Sequence, residues 1–177
     1  MANMRFQDFS FRVTAALDEI SLAWLDETAG EIAGQAARNC KMATEGEREG
    51  RELKTSYRYT VNDSEGEARI GSPRESAFWE EFGTGSYADQ SKNGGKQGRQ
   101  GWWVYVKNGD QHSPNGGQTY KTQQEAEAIA QSMRDEGLDA YATKGREPNY
   151  TLEKAFKRVQ PMAEEALAAK LKGRFNE

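Results

Sequence analysis

The sequence predicts an α+β fold, in which a long amino-terminal helix packs on a small antiparallel sheet built from a hairpin. Three observations carry this prediction. Helical periodicity runs over residues 11–42 and 150–173, alternating residues flank a turn at 62–66, and an aromatic helix signal follows directly. A glycine-rich loop and β-α-β unit at 88–145 then divide a core domain of 1–87 and 146–177, so we expect an insertion.

The first predicted helix, residues 11–42, is rich in alanine, which favours helix and keeps the helix surface slim. Its apolar residues recur every three or four positions on two adjacent faces: Val13, Leu17, Ile20 and Trp24, then Leu22, Leu25, Ala29, Ile32 and Ala36. We interpret it as a helix that faces the core of its own subunit. An intersubunit helix is the alternative.

The next segment predicts a loop followed by a β-hairpin. Residues 44–51 are polar and contain two glycines, which indicates a loop. Residues 52–61 predict a strand, since Leu53, Tyr57, Tyr59 and Val61 favour β structure. After the turn at 62–66, residues 67–71 predict the return strand.

Residues 72–83 predict a short helix with capping signals at both ends. Ser72 is placed as N-cap, Pro73 suits the first helical position, and Glu75 completes a capping box. Gly83 is expected to end the helix with a positive φ. The aromatic residues of this helix are Phe78, Trp79 and Phe82.

The predicted insertion has a basic loop and a compact unit. Residues 91–101 contain four glycines and three cations, whereas 102–106 predict a strand. Thr122 and Glu125 predict a capping box that opens a helix, Gly137 ends it, and Leu138 is placed for a Schellman motif. Residues 138–143 predict a second strand. In the last helix, 150–173, Pro161 predicts a kink or break.

Composition excludes several classes of site. The net charge of −4 disfavours nucleic-acid binding by default, because phosphate contacts need clustered cations. A single cysteine, Cys40, allows no intrachain disulfide, and we expect it to be a small buried thiol. We find no signal-peptide pattern and no run approaching the ~20 apolar residues of a membrane helix, so we expect a cytoplasmic protein without membrane contact.

No constellation predicts catalysis, a metal or a cofactor. The only histidine, His112, lies in a loop without a nucleophile motif, and one histidine with one cysteine cannot form a metal site. Glu80 and Glu81 are adjacent on a helix and point about 100° apart, so they are not a convergent acid–base pair. A half-buried Glu81 would need a cation across an interface or backbone donors.

Residues 50–56, 70–72, 77–85 and 148–155 together resemble the tail-component family of long-tailed bacteriophages of the HK-ninety-seven type. Residues 50–56, Gly-Arg-Glu-Leu-Lys-Thr-Ser, are similar to the family's Thr-Gly-x-Leu-x-x-Ser start of the first strand, with Glu49 where Thr is usual. Ile70-Gly71-Ser72 is similar to the end of its second strand. Residues 77–85, Ala-Phe-Trp-Glu-Glu-Phe-Gly-Thr-Gly, are similar to its Tyr-Ala-x-x-x-Glu-Phe-Gly-Thr signature. Residues 148–155 resemble its Pro-Phe-Leu-x-Pro-Ala start of the last helix, with Lys154 in place of proline.

This resemblance covers about 10–87 and 146–172 and leaves the insertion out. It implies a structural protein of the neck or tail-completion kind without catalytic residues, which assembles into a ring, taken to be a hexamer. The implied partners are further copies and connector, head-closure, tail-tube or terminator proteins, with DNA contacted only incidentally through a lumen. The implied location is the host cytoplasm during assembly and then the virion.

Two surfaces are predicted as contact sites. The short helix cannot bury all its aromatic residues on one side, and we expect its acidic side chains to meet Arg51, Lys54 and Arg58 of the next hairpin. The candidate subunit interface comprises Arg51, Leu53, Arg58, Phe78, Trp79, Glu81, Phe82, Gly83, Thr84 and Gly85. The candidate contact surface of the insertion comprises Lys92, Lys96, Arg99, Trp102 and Trp103. An alternative function is a single-stranded nucleic-acid or peptidoglycan binding module centred on residues 102–143.

Overall fold

Five helices and two small sheets make up the computed structural model, which describes residues 10–41, 48–92, 99–107 and 118–175; side chains are described except at 10–16, 48 and 49. The fold is α+β, as the sequence predicts. In chain order the elements of these described residues are α1 (Ser10–Asn39), α2 (Arg48–Lys54), β1 (Arg58–Asn62), β2 (Glu67–Gly71), α3 (Glu75–Phe82), β3 (Trp103–Val106), α4 (Gln123–Asp135), β4 (Ala140–Thr143) and α5 (Thr151–Phe175). None of the described helices is long and apolar enough to span a membrane.

Helices α1 and α5 pack against each other in antiparallel orientation. Small and β-branched residues form the buried contact, which lets the two helices approach closely: Ile32, Ala36, Ala155, Val159 and Ala163. The indole Nε1 of Trp24 donates a hydrogen bond to the carbonyl oxygen of Ala163 at 2.7 Å. The prediction that α1 faces the core of its own subunit is therefore confirmed for its second half. Met42, the predicted last residue of this helix, lies outside the described residues.

The predicted hairpin forms and packs on α1. Strands β1 and β2 are antiparallel, in a register that pairs Arg58 with Gly71 and Asn62 with Glu67. The Asn62 side chain closes the turn, since its Oδ1 accepts hydrogen bonds from the backbone N–H and the hydroxyl of Ser64. Alternate residues of both strands are half-buried, which matches the predicted period of two.

The segment before the hairpin is helical where the sequence predicts loop and strand. Helix α2 covers Arg48–Lys54, and β1 begins only at Arg58. Leu53 is fully buried beside Cys40 and Ala77, and Cys40 is buried as predicted. Ser56 ends the turn that follows α2, because its N–H and its hydroxyl both donate to the Leu53 carbonyl oxygen. Burial of Leu53 therefore overrides its β propensity.

The predicted N-cap at Ser72 is wrong by two residues. Helix α3 begins at Glu75, and Arg74 precedes it without a side-chain cap. The Ser72 hydroxyl oxygen lies 2.6 Å from that of Ser56 and accepts the N–H of Arg74. Ser72 thus closes the base of the hairpin and is not available as a helix cap. The end at Gly83 is as predicted, with φ 74°.

The insertion has a hydrophobic cluster of its own. Strands β3 and β4 are antiparallel, and α4 packs on them around Val104, Val106, Ala130 and Ala140. The predicted capping box of α4 is confirmed. The Schellman motif is confirmed too, because the N–H of Leu138 bonds the Met133 carbonyl and that of Gly137 bonds the Arg134 carbonyl. His112, Lys96 and the predicted loop 108–117 lie outside the described residues.

Helix α5 is continuous from Thr151 to Phe175, so the break predicted at Pro161 does not occur. Pro161 lies on the exposed side of the helix. The carbonyl group that loses its helical donor there can bond to water, which lowers the cost of the proline.

Candidate functional site

Helix α3 is oriented with its two central glutamates, Glu80 and Glu81, inward and Phe78 outward. Glu80 is 0% exposed and Glu81 is 8% exposed, whereas Phe78 is 38% exposed. The rings of Phe78 and Phe82 pack at 4.9 Å between centroids, and Trp79 is half-buried. Two carboxylates are thus buried and one ring is exposed, although carboxylates usually face water and aromatic rings usually face the core.

The Glu81 carboxylate caps the amino terminus of α5. Its Oε2 accepts the N–H of Leu152 at 2.7 Å, and its Oε1 accepts the N–H of Glu153 at 3.1 Å. These are first-turn N–H groups that have no partner within the helix. The sequence allowed two kinds of partner for this carboxylate, a cation across an interface or backbone donors. In the structure its partners are backbone donors of the same chain.

Glu80 joins the ends of α1, α3 and α5. Its Oε1 accepts from the backbone N–H of Lys41 and from the Asn149 amide at 2.9 Å. The same amide group donates to the Asn39 carbonyl oxygen at 2.9 Å. The guanidinium of Arg146 lies 3.9 Å from the other carboxylate oxygen, Oε2. A buried carboxylate is tolerated here because charged and polar donors surround it.

The Gly83-Thr84-Gly85 turn lies against the returning chain at 144–148. The Thr84 N–H donates to the Arg146 carbonyl at 2.8 Å, and the Arg146 N–H donates to Thr84 Oγ1 at 2.9 Å. A Cβ at Gly83 would lie 2.6 Å from the Arg146 carbonyl oxygen, and one at Gly85 would lie 2.1 Å from that of Lys144. The two ends of the predicted insertion therefore lie side by side, and both glycines are needed for this close approach.

Tyr150, which precedes α5, is the non-glycine residue with positive φ, 51°, among the described residues. Its hydroxyl donates to Asp89 at 2.8 Å, and the Lys92 ammonium lies 4.5 Å from the centre of its ring. Lys92 also pairs with Glu153 at 2.6 Å. Hydrogen bonding to Asp89 raises the pKa of the Tyr150 phenol, and Asp89 has a lowered pKa because Ser91 and Tyr150 donate to it.

The structure separates the predicted interface residues into exposed and buried groups. Arg51 and Arg58 are exposed, as is Phe78, and Thr84 is half-buried. Leu53, Gly83 and Gly85 are buried within the chain, which does not favour their direct contact with a neighbour, and the predicted interface stays a prediction. The predicted pairing of the acidic helix with the basic hairpin needs correction. Both central glutamates point inward, and only Glu75 of α3 presents a carboxylate to solvent.

Four of the five residues of the predicted contact surface of the insertion are described, and they differ in exposure. Trp103 is 8% exposed and packs at Gly85, so its indole cannot stack on an external ligand. Trp102 is half-buried, with the Lys144 ammonium 5.0 Å from its ring centre, and the Arg99 guanidinium lies over Trp103. Lys92 contacts Tyr150 and Glu153, which belong to the core domain. Of the two indoles, that of Trp103 is therefore buried and that of Trp102 is half-exposed.

Sequence reasoning missed Glu80, Arg146, Asn149 and Tyr150. Each acts through partners that are distant in the chain, such as the 69 residues that separate Glu80 from Asn149. The only local signal was a pair of glutamates inside an aromatic segment. In the part of the chain that is described, no group of three or more His, Cys, Asp or Glu is placed to hold a metal ion.

Burial raises the pKa of the Tyr57 phenol above its usual range, and negative charge at Cys40, Glu80 and Glu81 adds to the effect. The unfolded chain then releases this proton at lower pH than the folded protein. The stability that comes from this group is complete below about pH 10 and is lost as the pH rises further. We expect Tyr57→Phe to flatten the alkaline decline of stability, measured by urea unfolding between about pH 8 and 12. Tyr87→Phe, at an exposed tyrosine, is the control, and an equal slope in both variants would contradict the assignment.

Comparison of the chain with protein-family models, with curated proteins and with solved structures found no match.

Proposed function

We propose that this chain is a non-enzymatic structural subunit that assembles with copies of itself into a ring. The observation that carries the proposal is that α3 buries two carboxylates and leaves one aromatic ring exposed. The carboxylates of Glu80 and Glu81 accept hydrogen bonds from donors of the same chain. The ring of Phe78, beside Phe82, is 38% exposed. Aromatic side chains at partly exposed positions concentrate binding energy when a partner covers them.

The proposed assembly is the neck or tail-completion ring of a long-tailed bacteriophage or prophage. The resemblance of residues 50–56, 70–72, 77–85 and 148–155 to that family supports it. A closed ring uses a heterologous contact, in which one face of each subunit meets a different face of the next. Six copies, with connector, head-closure, tail-tube or terminator proteins above and below, form the proposed structure. DNA would pass through the lumen without specific contacts.

The chemistry of α3 fits an assembly role better than an active site. Glu80 and Glu81 are acceptors of fixed backbone and side-chain donors, which leaves neither as a general base directed at a substrate. The alternative, a nucleic-acid or peptidoglycan binding module at residues 102–143, has less support because Trp103 is buried. In the proposed ring, the insertion extends from the core and decorates the assembly or contacts a neighbouring protein.

Phe78→Ser is expected to weaken each contact between copies by about 2 kcal/mol or more, which is about 30-fold in affinity. The reason is that it removes an aromatic side chain that the neighbouring copy would bury. Native mass spectrometry and negative-stain microscopy would show rings for the wild type and smaller species for the variant. Both proteins would be examined alone and with particles that lack the protein.

Tyr141→Ser is the matched control, because this residue is 47% exposed in the insertion and its truncation removes a similar aromatic area. We expect rings in this variant. A wild-type protein that stays monomeric at every concentration, and forms no ring beside connector or tail-tube proteins, would refute the proposal.

A further inference from the structure

A second candidate contact lies at the end of the molecule opposite to α3. There the first half of α1 and the last turns of α5 border an open cleft of about 350 Å³. Its lining combines small or apolar residues with charged ones: Ile20, Ala23, Gly173, Glu19, Lys170 and Arg174. Nothing in the ring proposal uses this cleft.

The two sides of the cleft carry opposite charge. On α1, Asp18 and Glu19 are exposed, whereas α5 ends with three cations at Lys170, Lys172 and Arg174. Lys170 already pairs with Glu27 of its own chain at 3.0 Å. One wall of the cleft is therefore acidic and the other is basic.

Exposed apolar side chains accompany the cleft. Leu17 is 38% exposed and precedes Ile20 by one helical turn on the same side of α1. Phe175, next to Arg174, is 47% exposed. The cleft thus offers apolar area flanked by charges of both signs, which is the composition of a helix-packing surface.

We propose that a second copy of this chain docks on this cleft, with α1 of each copy against α5 of the other. A two-fold axis parallel to the helices places the acidic wall of one copy over the basic wall of its partner, and it does so twice. Neighbouring helices are then antiparallel, as in a four-helix bundle. Charge complementarity of the cleft with itself selects a second copy as the occupant.

The contact is independent of the proposed ring, since it uses the opposite end of the α1–α5 pair from α3. The two proposals can therefore fail separately. Every measurement below is made both in the wild-type background and in Phe78→Ser, in which the ring contact is weakened.

Charge reversal provides the test. Glu19→Arg and Arg174→Glu are made separately, and sedimentation velocity at low ionic strength gives the dissociation constant of the dimer. Each reversal places like charges across both halves of the interface, so we expect the dissociation constant to rise about ten-fold or more. An equimolar mixture of the two variants is expected to dimerise again with near wild-type affinity.

The mixture separates contact between chains from contact within a chain. In the copy that carries Glu19→Arg, positions 19 and 174 are both arginine, and in the copy that carries Arg174→Glu they are both glutamate. In the mixed dimer, opposite charges therefore meet in both halves of the interface. Within each variant chain positions 19 and 174 still carry like charges, so recovery in the mixture can come only from contact between the copies.

Arg158→Glu is the matched control, because it reverses an exposed charge of α5 outside the cleft and leaves the dissociation constant unchanged. Circular dichroism checks that all variants are folded. A monomeric wild type would overturn the proposal. Dimers that are insensitive to either reversal, or a mixture that stays monomeric, would overturn it too.

Discussion

Gly85→Ala is expected to lower the free energy of unfolding by about 2–5 kcal/mol. Gly85 has a φ of +61°, which costs a residue with a Cβ about 1–2 kcal/mol. The new Cβ would also lie 2.1 Å from the Lys144 carbonyl oxygen and 2.3 Å from Trp103 Cη2, so chain and indole must move. Overpacking of this kind costs about 1–3 kcal/mol more. Urea unfolding measures the loss, and intrinsic tryptophan fluorescence reports movement of Trp103.

Gly137→Ala separates backbone strain from the clash. Gly137 also has a positive φ, +89°, but a Cβ there would meet nothing within 4 Å. We expect Gly137→Ala to cost only the conformational part, about 1–2 kcal/mol, without a change in tryptophan fluorescence. Equal losses in the two variants would show that the close approach of Gly85 to residues 144–146 contributes nothing.

Glu81→Ala is expected to lower the free energy of unfolding by about 1.5–5 kcal/mol. The substitution removes a buried carboxylate that accepts two first-turn N–H groups of α5, those of Leu152 and Glu153. Loss of a helix cap costs about 0.5–2 kcal/mol, and buried donors left without an acceptor add about 1–3 kcal/mol. Urea unfolding measures the total, and amide hydrogen exchange is expected to quicken first at these two N–H groups.

Glu75→Ala is the control within the same helix, because Glu75 is exposed in the first turn of α3. We expect a change within about 0.5 kcal/mol. Glu81→Gln keeps one acceptor oxygen and is expected to fall between the two. If Glu81→Ala were as mild as Glu75→Ala, the carboxylate would not be the cap that holds α5 to α3.

These two predictions concern residues 77–85, one of the four segments that support the proposed family assignment. Within residues 77–85, Glu81 caps another helix, Gly83 and Gly85 permit close chain approach, and Thr84 bonds Arg146. Each of these residues thus has a reason within the subunit, independent of any neighbour. The Phe78 ring packs on Phe82 but is 38% exposed, and it is where the assembly proposal is tested.

Much of the local structure followed from the sequence alone, although the cap predicted at Ser72 and the break predicted at Pro161 did not form. The helix periods, the hairpin turn at 62–66, the capping box at Thr122 and the Schellman end at Gly137 were all predictable, because each depends on residues a few positions apart. The strand predicted over 52–61 was wrong in its first half, since Leu53 is buried by Cys40 and Ala77 from other elements. The β propensity of Leu53 is a local preference and gives no information about a contact with residues of other elements.

The tertiary structure alone decided which face of α3 points inward. The pattern of residues 75–82 predicts an aromatic face and an acidic one, and burial of the aromatic face is the ordinary expectation. Here the donors for Glu81 come from Leu152 and Glu153, 71 and 72 residues further along the chain. A buried carboxylate is stable only where such donors converge, and convergence is a property of packing that no local sequence pattern encodes.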